Sequence, residues 1–320
     1  MPSESWKASG TAAAAWALVA LALVSCSLDP VRLGAVLPLT GAHSTYGSSL
    51  QKGMLVAVER VNSEGGVHGR RLEVLVRDSG SDAQEAVRQF RDLAAADGVT
   101  AVVGGATSPE ALALAPVAAQ LRRVLLTPSA SSPRLTSAGE WVFRNWPSDD
   151  LEAKVIADFA AFTLHVSAVL VVAEQSPYAR GFAESFVAQF SGPNRTASTV
   201  ALPEGAPGSP EWARRLATGL GGAQAILLVG YGEQLVPAAA ALKALGVEAP
   251  LLSVSSLSDE QILAEGAQAL EGVVFARPSY DPESDSPPFQ EFAAAYRSRF
   301  GSEPDVYAAH ADDSVRVLAE

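Results

Sequence analysis

Along this chain, short unbroken apolar runs alternate with longer segments in which apolar residues recur every three or four positions. Unbroken runs of this length read as strands buried on both faces, and the longer period reads as amphipathic helix. The first pair is a strand over Val31–Leu37 and a helix over 48–62, with Leu50, Met54, Val58 and Val61 on one face. Gly65-Gly66 stops that helix, and a hairpin-like turn leads to a strand over 72–76. A helix over 83–95 and a strand over 101–103 follow. Further strands are predicted over 124–126, 167–173, 196–202, Ala225–Val229, 251–254 and 272–276. Between and after them lie helices running to about residue 162, then over 176–190, 211–220, 233–245 and 289–300, and from 306 to the end. Strand and helix alternate throughout, which is the pattern of an α/β protein built on parallel sheets.

Two strand ends stand out. The strand 101–103 runs into Gly104-Gly105, where the backbone can turn tightly, and then Thr107-Ser108-Pro109. Ser108 reads as an N-cap and Pro109 as the first helical residue. The strand 124–126 runs into Thr127-Pro128-Ser129-Ala130-Ser131-Ser132-Pro133. Both loops fall at the carboxyl ends of strands, where open parallel sheets bind ligands. Hydroxyls and free N–H groups there suit a carboxylate or another small anion. Either loop could equally be an ordinary strand-to-helix connection with a capping serine.

Composition narrows the function. At 320 residues, 48% hydrophobic and 18% charged, the chain is long enough for two lobes. Its net charge of −12 argues against nucleic acid as a partner. The one cysteine, Cys26, ends an apolar stretch over 11–25 that follows Lys7. That stretch is shorter than the ~20 residues of a spanning helix and fits the apolar region of an export signal. Catalytic chemistry finds little support. His43, His68, His165 and His310 are scattered, and none pairs at metal-ligand spacing with cysteine or another histidine. There is no G-x-S-x-G elbow and no phosphate loop, and Gly230-Tyr231-Gly232-Glu233 lacks the third glycine of a dinucleotide fingerprint. No catalytic residue, metal or cofactor is assigned, and an α/β enzyme is the least favoured reading.

The runs GAVLPLTGAHSTYG, GMLVAVERVNSEGGVHGRRLEVLVRDSGSD, GGATSPEALALAPVAAQ, LLTPSASSPRLT and WVFRNWPSDD resemble the periplasmic binding proteins of branched-chain amino-acid transport systems. The resemblance covers nearly all of the chain after Cys26. It implies the type I periplasmic binding fold: two doubly wound α/β lobes joined by interlobe crossovers. The first lobe would comprise residues 31–146 plus 283–320, and the second residues 147–282. Leu23-Val24-Ser25-Cys26 looks like a bacterial lipobox, which implies a signal peptide over 1–25, lipidation of Cys26 and a tether over 26–30. The protein would then be exported and anchored to a membrane. Proteins of this type continue beyond the helix that matches 307–320, so the C-terminus is expected to be truncated.

Carried over residue by residue, the resemblance implies a ligand shell. Tyr46 would cover the ligand from the first lobe, while Ser108, Ala130 and Ser131 would hold an α-carboxylate. Asp149 matches an acid near the crossover, although it or Asp150 could simply cap the following helix. Tyr178 and Tyr231 would close from the second lobe. Where amino-acid-binding relatives carry an acid for the ligand's ammonium, this chain has Ser255. The ligand is therefore left open among a branched-chain or other amino acid, a short amide and a small carboxylate. The implied partner is the permease of an ABC importer, with a ligand-sensing receptor module of the same fold as the alternative.

Overall fold

A computed structural model of the chain describes residues 29–96, 98–205, 209–218 and 220–320. Cys26 and the predicted export signal lie outside the described residues. The first half of the chain forms a five-stranded sheet from β1 (Val31–Leu37), β2 (Leu72–Asp78), β3 (Ala101–Gly104), β4 (Val124–Thr127) and β5 (Val142–Arg144). Their order is β2-β1-β3-β4-β5, and every pair is parallel. A second parallel sheet holds β6 (Ala168–Ala173), β7 (Thr196–Ala201), β8 (Ala225–Val229), β9 (Leu251–Ser253) and β10 (Val274–Phe275), in the order β10-β9-β8-β6-β7. Strand order reverses beside β1 and β3 in one sheet and beside β6 and β8 in the other. Crevices form at such switch points, outside the carboxyl ends of the strands.

Strand β1 shows why the apolar runs are unbroken. Leu33, Ala35 and Leu37 face one layer with Leu50 and Met54, whereas Val36 faces another with Phe90, Leu93 and Leu114. Both faces are covered over Leu33–Leu37, so no position in that stretch can be polar without loss. Helices α1 (Ser44–Ser63), α2 (Ala83–Ala96) and α3 (Ser108–Leu121) provide these layers. In the second lobe, α4 (Asp149–Asp158), α5 (Pro177–Phe190), α6 (Pro210–Ala217) and α7 (Gly232–Ala244) do the same, with Phe182, Phe186 and Trp212 buried in the core.

The chain passes from β5 to α4 through 145–148, and returns after β10 through 276–286. Two short helices, α8 (Glu260–Glu265) and α9 (Ala267–Leu270), precede β10. The last two, α10 (Pro287–Phe300) and α11 (Val306–Ala319), pack on α1. The α1–α11 crossing is close enough that a Cβ on Gly53 would lie 2.0 Å from the Ala308 carbonyl oxygen. Asp305 caps α11 by accepting from the Ala308 N–H at 2.8 Å, and the Ser49 hydroxyl of α1 bonds the same carboxylate.

Several sequence expectations are corrected. Helix α1 begins at Ser44, four residues before the predicted start. Strand β5 was not expected, because a three-residue edge strand carries too short a pattern. The strand predicted over 272–276 shrinks to Val274–Phe275. Ser108 is not the cap of α3: Thr107 is, and its side chain accepts from the Glu110 N–H while the Glu110 carboxylate accepts from the Thr107 N–H. This reciprocal capping box satisfies two N–H groups that the helix cannot bond internally. Nor does Asp149 or Asp150 cap α4. Ser148 occupies that position without a side-chain bond, and α4 ends in a widened turn over Phe159–Thr163.

Candidate functional site

The two hydroxyl-rich loops are stitched into one surface. The Thr127 hydroxyl donates to the Gly105 carbonyl at 2.8 Å, and the Ser129 hydroxyl to the Ala106 carbonyl at 2.7 Å. Gly105 makes this possible with φ of +65°, where a Cβ would strike Ala111 Cα at 2.7 Å. The Ser132 N–H donates to Ser108 Oγ at 3.2 Å, which leaves the Ser108 hydroxyl proton free to turn toward a ligand. Arg144 donates to the carbonyls of Ser131 (3.1 Å) and Ser132 (2.9 Å), and the Asp149 N–H donates to Ser131 O at 2.9 Å. The rim is thus rigid before any ligand arrives.

Between the lobes lies a narrow cleft with a cavity volume of about 30 Å³. Tyr46, Ser108 and Ser131 line it from the first lobe, and Tyr178, Tyr231 and Ser255 from the second. These are six of the eight residues expected at the site. Each sits in a loop or first helical turn at the carboxyl end of a strand. Ala130 is not one of them. Its N–H is given to Thr127 Oγ1 at 3.3 Å, and it is buried with Ala111 and Leu135 instead of facing the cleft. Asp149 is wholly buried behind Ser131, and neither carboxylate oxygen has a partner at hydrogen-bond geometry. Burial pushes it up to about 7, against the nearby Ser131 hydroxyl and Arg144 guanidinium, which favour its ionised form.

Six lining residues are not among the predicted site residues: Ala106, Thr107, Ser129, Trp146, Ser256 and Tyr307. Trp146 stacks on Tyr307 with ring centroids 5.0 Å apart and planes 11° apart. The Asn145 side chain donates to the His310 carbonyl at 2.8 Å, so the start of the crossover is tied to α11. Tyrosines also join the lobes directly. The Tyr46 hydroxyl donates to Ser256 O at 3.0 Å and accepts the Gly232 N–H at 3.1 Å. The Tyr307 hydroxyl donates to Ser255 O at 3.2 Å. Burial raises both phenols well above their ordinary value, so both stay neutral donors at any physiological pH.

A second buried acid completes the picture. Glu152, one turn after Asp149 on α4, holds the Ser255 N–H at 2.6 Å and the Ser255 hydroxyl at 2.8 Å. Burial pushes it up to about 8 despite these two bonds. Among the described residues, no group of three or more potential metal ligands comes together. The cleft therefore offers hydroxyls on one wall, Ser255 backed by the buried Glu152 on the other, and aromatic rings between.

A family model described as periplasmic binding protein matches residues 30–320. The chain belongs to that family. A Leu/Ile/Val-binding protein homolog from Brucella melitensis is 27% identical over 258 residues, which is 80% of this chain and 69% of that protein. A leucine-, isoleucine-, valine-, threonine- and alanine-binding protein from Pseudomonas aeruginosa is 25% identical over 313 residues, covering 96% and 82%. Among solved structures, a branched-chain amino acid transporter substrate binding protein from Streptococcus pneumoniae in complex with isoleucine superposes with a TM-score of 0.80 at 26% identity, covering 91% of this chain and 83% of that one. The two-lobed fold is that of the type I periplasmic binding proteins, a family of solute binders exported to the periplasm.

Proposed function

We propose that this periplasmic binding protein captures a small zwitterion of the amino-acid type between its lobes and delivers it to the permease of an ABC importer. The single observation that carries the reading is the polarity of the cleft. The free hydroxyl of Ser108 stands on the first-lobe wall beside Ser131, and Ser255 with Glu152 behind it stands on the second. An α-carboxylate suits the first wall and an α-ammonium the second, while the rings of Tyr46, Tyr178, Tyr231 and Trp146 accept an apolar side chain. The ligands named for the Pseudomonas and Streptococcus relatives have this design. The lobes, 31–146 with 283–320 and 147–282, move against each other at the crossovers, and the closed form bridged by Tyr46 and Tyr307 is the one the permease reads. Cys26 anchors the exported protein to the membrane through lipid.

A thermal-shift screen of the purified protein tests this. A ligand that binds only the folded protein stabilises it by about 2.7 kcal/mol at one hundred times its Kd. Leucine, isoleucine or valine should raise the melting temperature in a dose-dependent way. A response to fatty acids or amides with none to any amino acid would overturn the reading.

A further inference from the structure

Ser255 gives both of its donors to one side chain. Its N–H and hydroxyl go to the two carboxylate oxygens of Glu152, and its carbonyl receives Tyr307. A serine hydroxyl has one proton and two lone pairs, so only lone pairs remain to face the cleft that Ser255 lines. Glu152 itself lies behind that wall, 8% exposed. We propose that Glu152 is a specificity-determining positioning residue: by drawing the Ser255 proton away from the cleft, it turns the second-lobe wall into an acceptor for a cationic N–H donor. The proposal rests on the zwitterion reading above and names what enforces it. It also answers the missing acid at position 255, because Glu152 in its ionised form supplies the negative charge from α4 through the serine.

The chemistry is reversible. A protonated Glu152, or a glutamine in its place, donates to Ser255 Oγ and frees the serine proton to point into the cleft. The same wall then favours an acceptor, such as the carbonyl of a 2-oxo acid. The groups facing Glu152 are Asp149 on its own helix, which pushes its pKa further up, and the neutral phenols of Tyr178 and Tyr307. Arg277 lines the hollow on its other side. Affinity for an amino acid should therefore rise as pH climbs toward 8, and affinity for the matching 2-oxo acid should fall.

The test compares leucine with 4-methyl-2-oxopentanoate by calorimetry on the wild type, E152Q and S255A between pH 6 and 8.5. In E152Q the preference for leucine over the 2-oxo acid should drop at least a hundred-fold and lose its pH dependence. In S255A leucine should weaken with no gain for the 2-oxo acid. An unchanged preference in folded E152Q overturns the proposal. If the wild type binds no amino acid, the zwitterion reading falls, and Glu152 is judged on the free protein labelled with 15N-serine. The Ser255 amide signal, identified by its loss in S255A, should titrate in the wild type and stay flat in E152Q. A wild-type signal that does not titrate overturns the proposal whatever the ligand is.

Discussion

The hydroxyl of Tyr46, on the first lobe, donates across the cleft to the carbonyl oxygen of Ser256 on the second, 3.0 Å away. The Tyr46 phenol oxygen also accepts the Gly232 N–H, so its loss strands two main-chain groups, both on the second lobe. Tyr46→Phe should shift the protein toward the open form. A neutral hydrogen bond is worth about 0.5–1.5 kcal/mol net, so ligand affinity should fall about two- to ten-fold. Small-angle scattering should show a larger radius of gyration for the variant at the same ligand occupancy. Equal radii and equal affinities would count against a closing role.

Removing the hydroxyl of Ser108 or Ser131 should cost about 1.5–3 kcal/mol of binding, the range for hydrogen bonds to a charged group. Each alanine variant should lose leucine about ten-fold or more by titration calorimetry. Leucinamide, which has no carboxylate, should respond much less. Equal losses for both would place the serines elsewhere than at the carboxylate.

Asp149 makes a stability prediction with a definite sign. Its folded pKa of about 7 lies above the ordinary 3.8, so the folded state binds its proton more tightly than the unfolded one. The stability this contributes is fully present below about pH 4 and is lost as pH rises through about 7, at about 1.4 kcal/mol per unit of displacement. Asp149→Asn removes the ionisable group. The variant should match the wild type in urea melts at pH 4 and exceed it at pH 8. A wild type that grows more stable relative to the variant with rising pH would refute the assignment.

Much of this architecture was readable from the chain. Strand β1 matches its predicted limits because its stretch Leu33–Leu37 is an apolar run covered on both faces. The rim serines were readable because a strand end followed by Gly-Gly or small hydroxyl residues has few other uses. Thr107-Ser108-Pro109-Glu110 carries the capping-box signature outright, and Thr107, not Ser108, is the residue it designates. Glu152, Ser256 and Tyr307 were not readable as site residues. Glu152 reaches Ser255 across 103 positions and Tyr307 reaches it across 52, and no local period encodes such pairings. The short β5 failed for the opposite reason, since three residues hold too little pattern to distinguish strand from loop.

The helix crossing at Gly53 gives a packing prediction. A Cβ there would meet the Ala308 carbonyl, so Gly53→Ala must push α11 away from α1. Overpacking of this kind costs about 1–3 kcal/mol. The variant's urea midpoint should drop while its slope stays the same. Unaltered stability would mean that the two helices separate freely.

For the anchor, Cys26→Ser should give a protein that no longer partitions into detergent. The wild type should carry acyl mass on the peptide beginning at residue 26. Recovery of an unmodified wild-type protein from the aqueous phase would exclude the lipid.

The tyrosines that bridge the lobes take hold of carbonyl oxygens, at Ser255 and Ser256, and not of side chains. Every amino acid supplies the same carbonyl. Position 255 can therefore mutate, and with it the charge the cleft prefers, while the fastening of the two halves goes on as before. A lineage carrying this gene could change diet one residue at a time without first inventing a new way to shut the jaw.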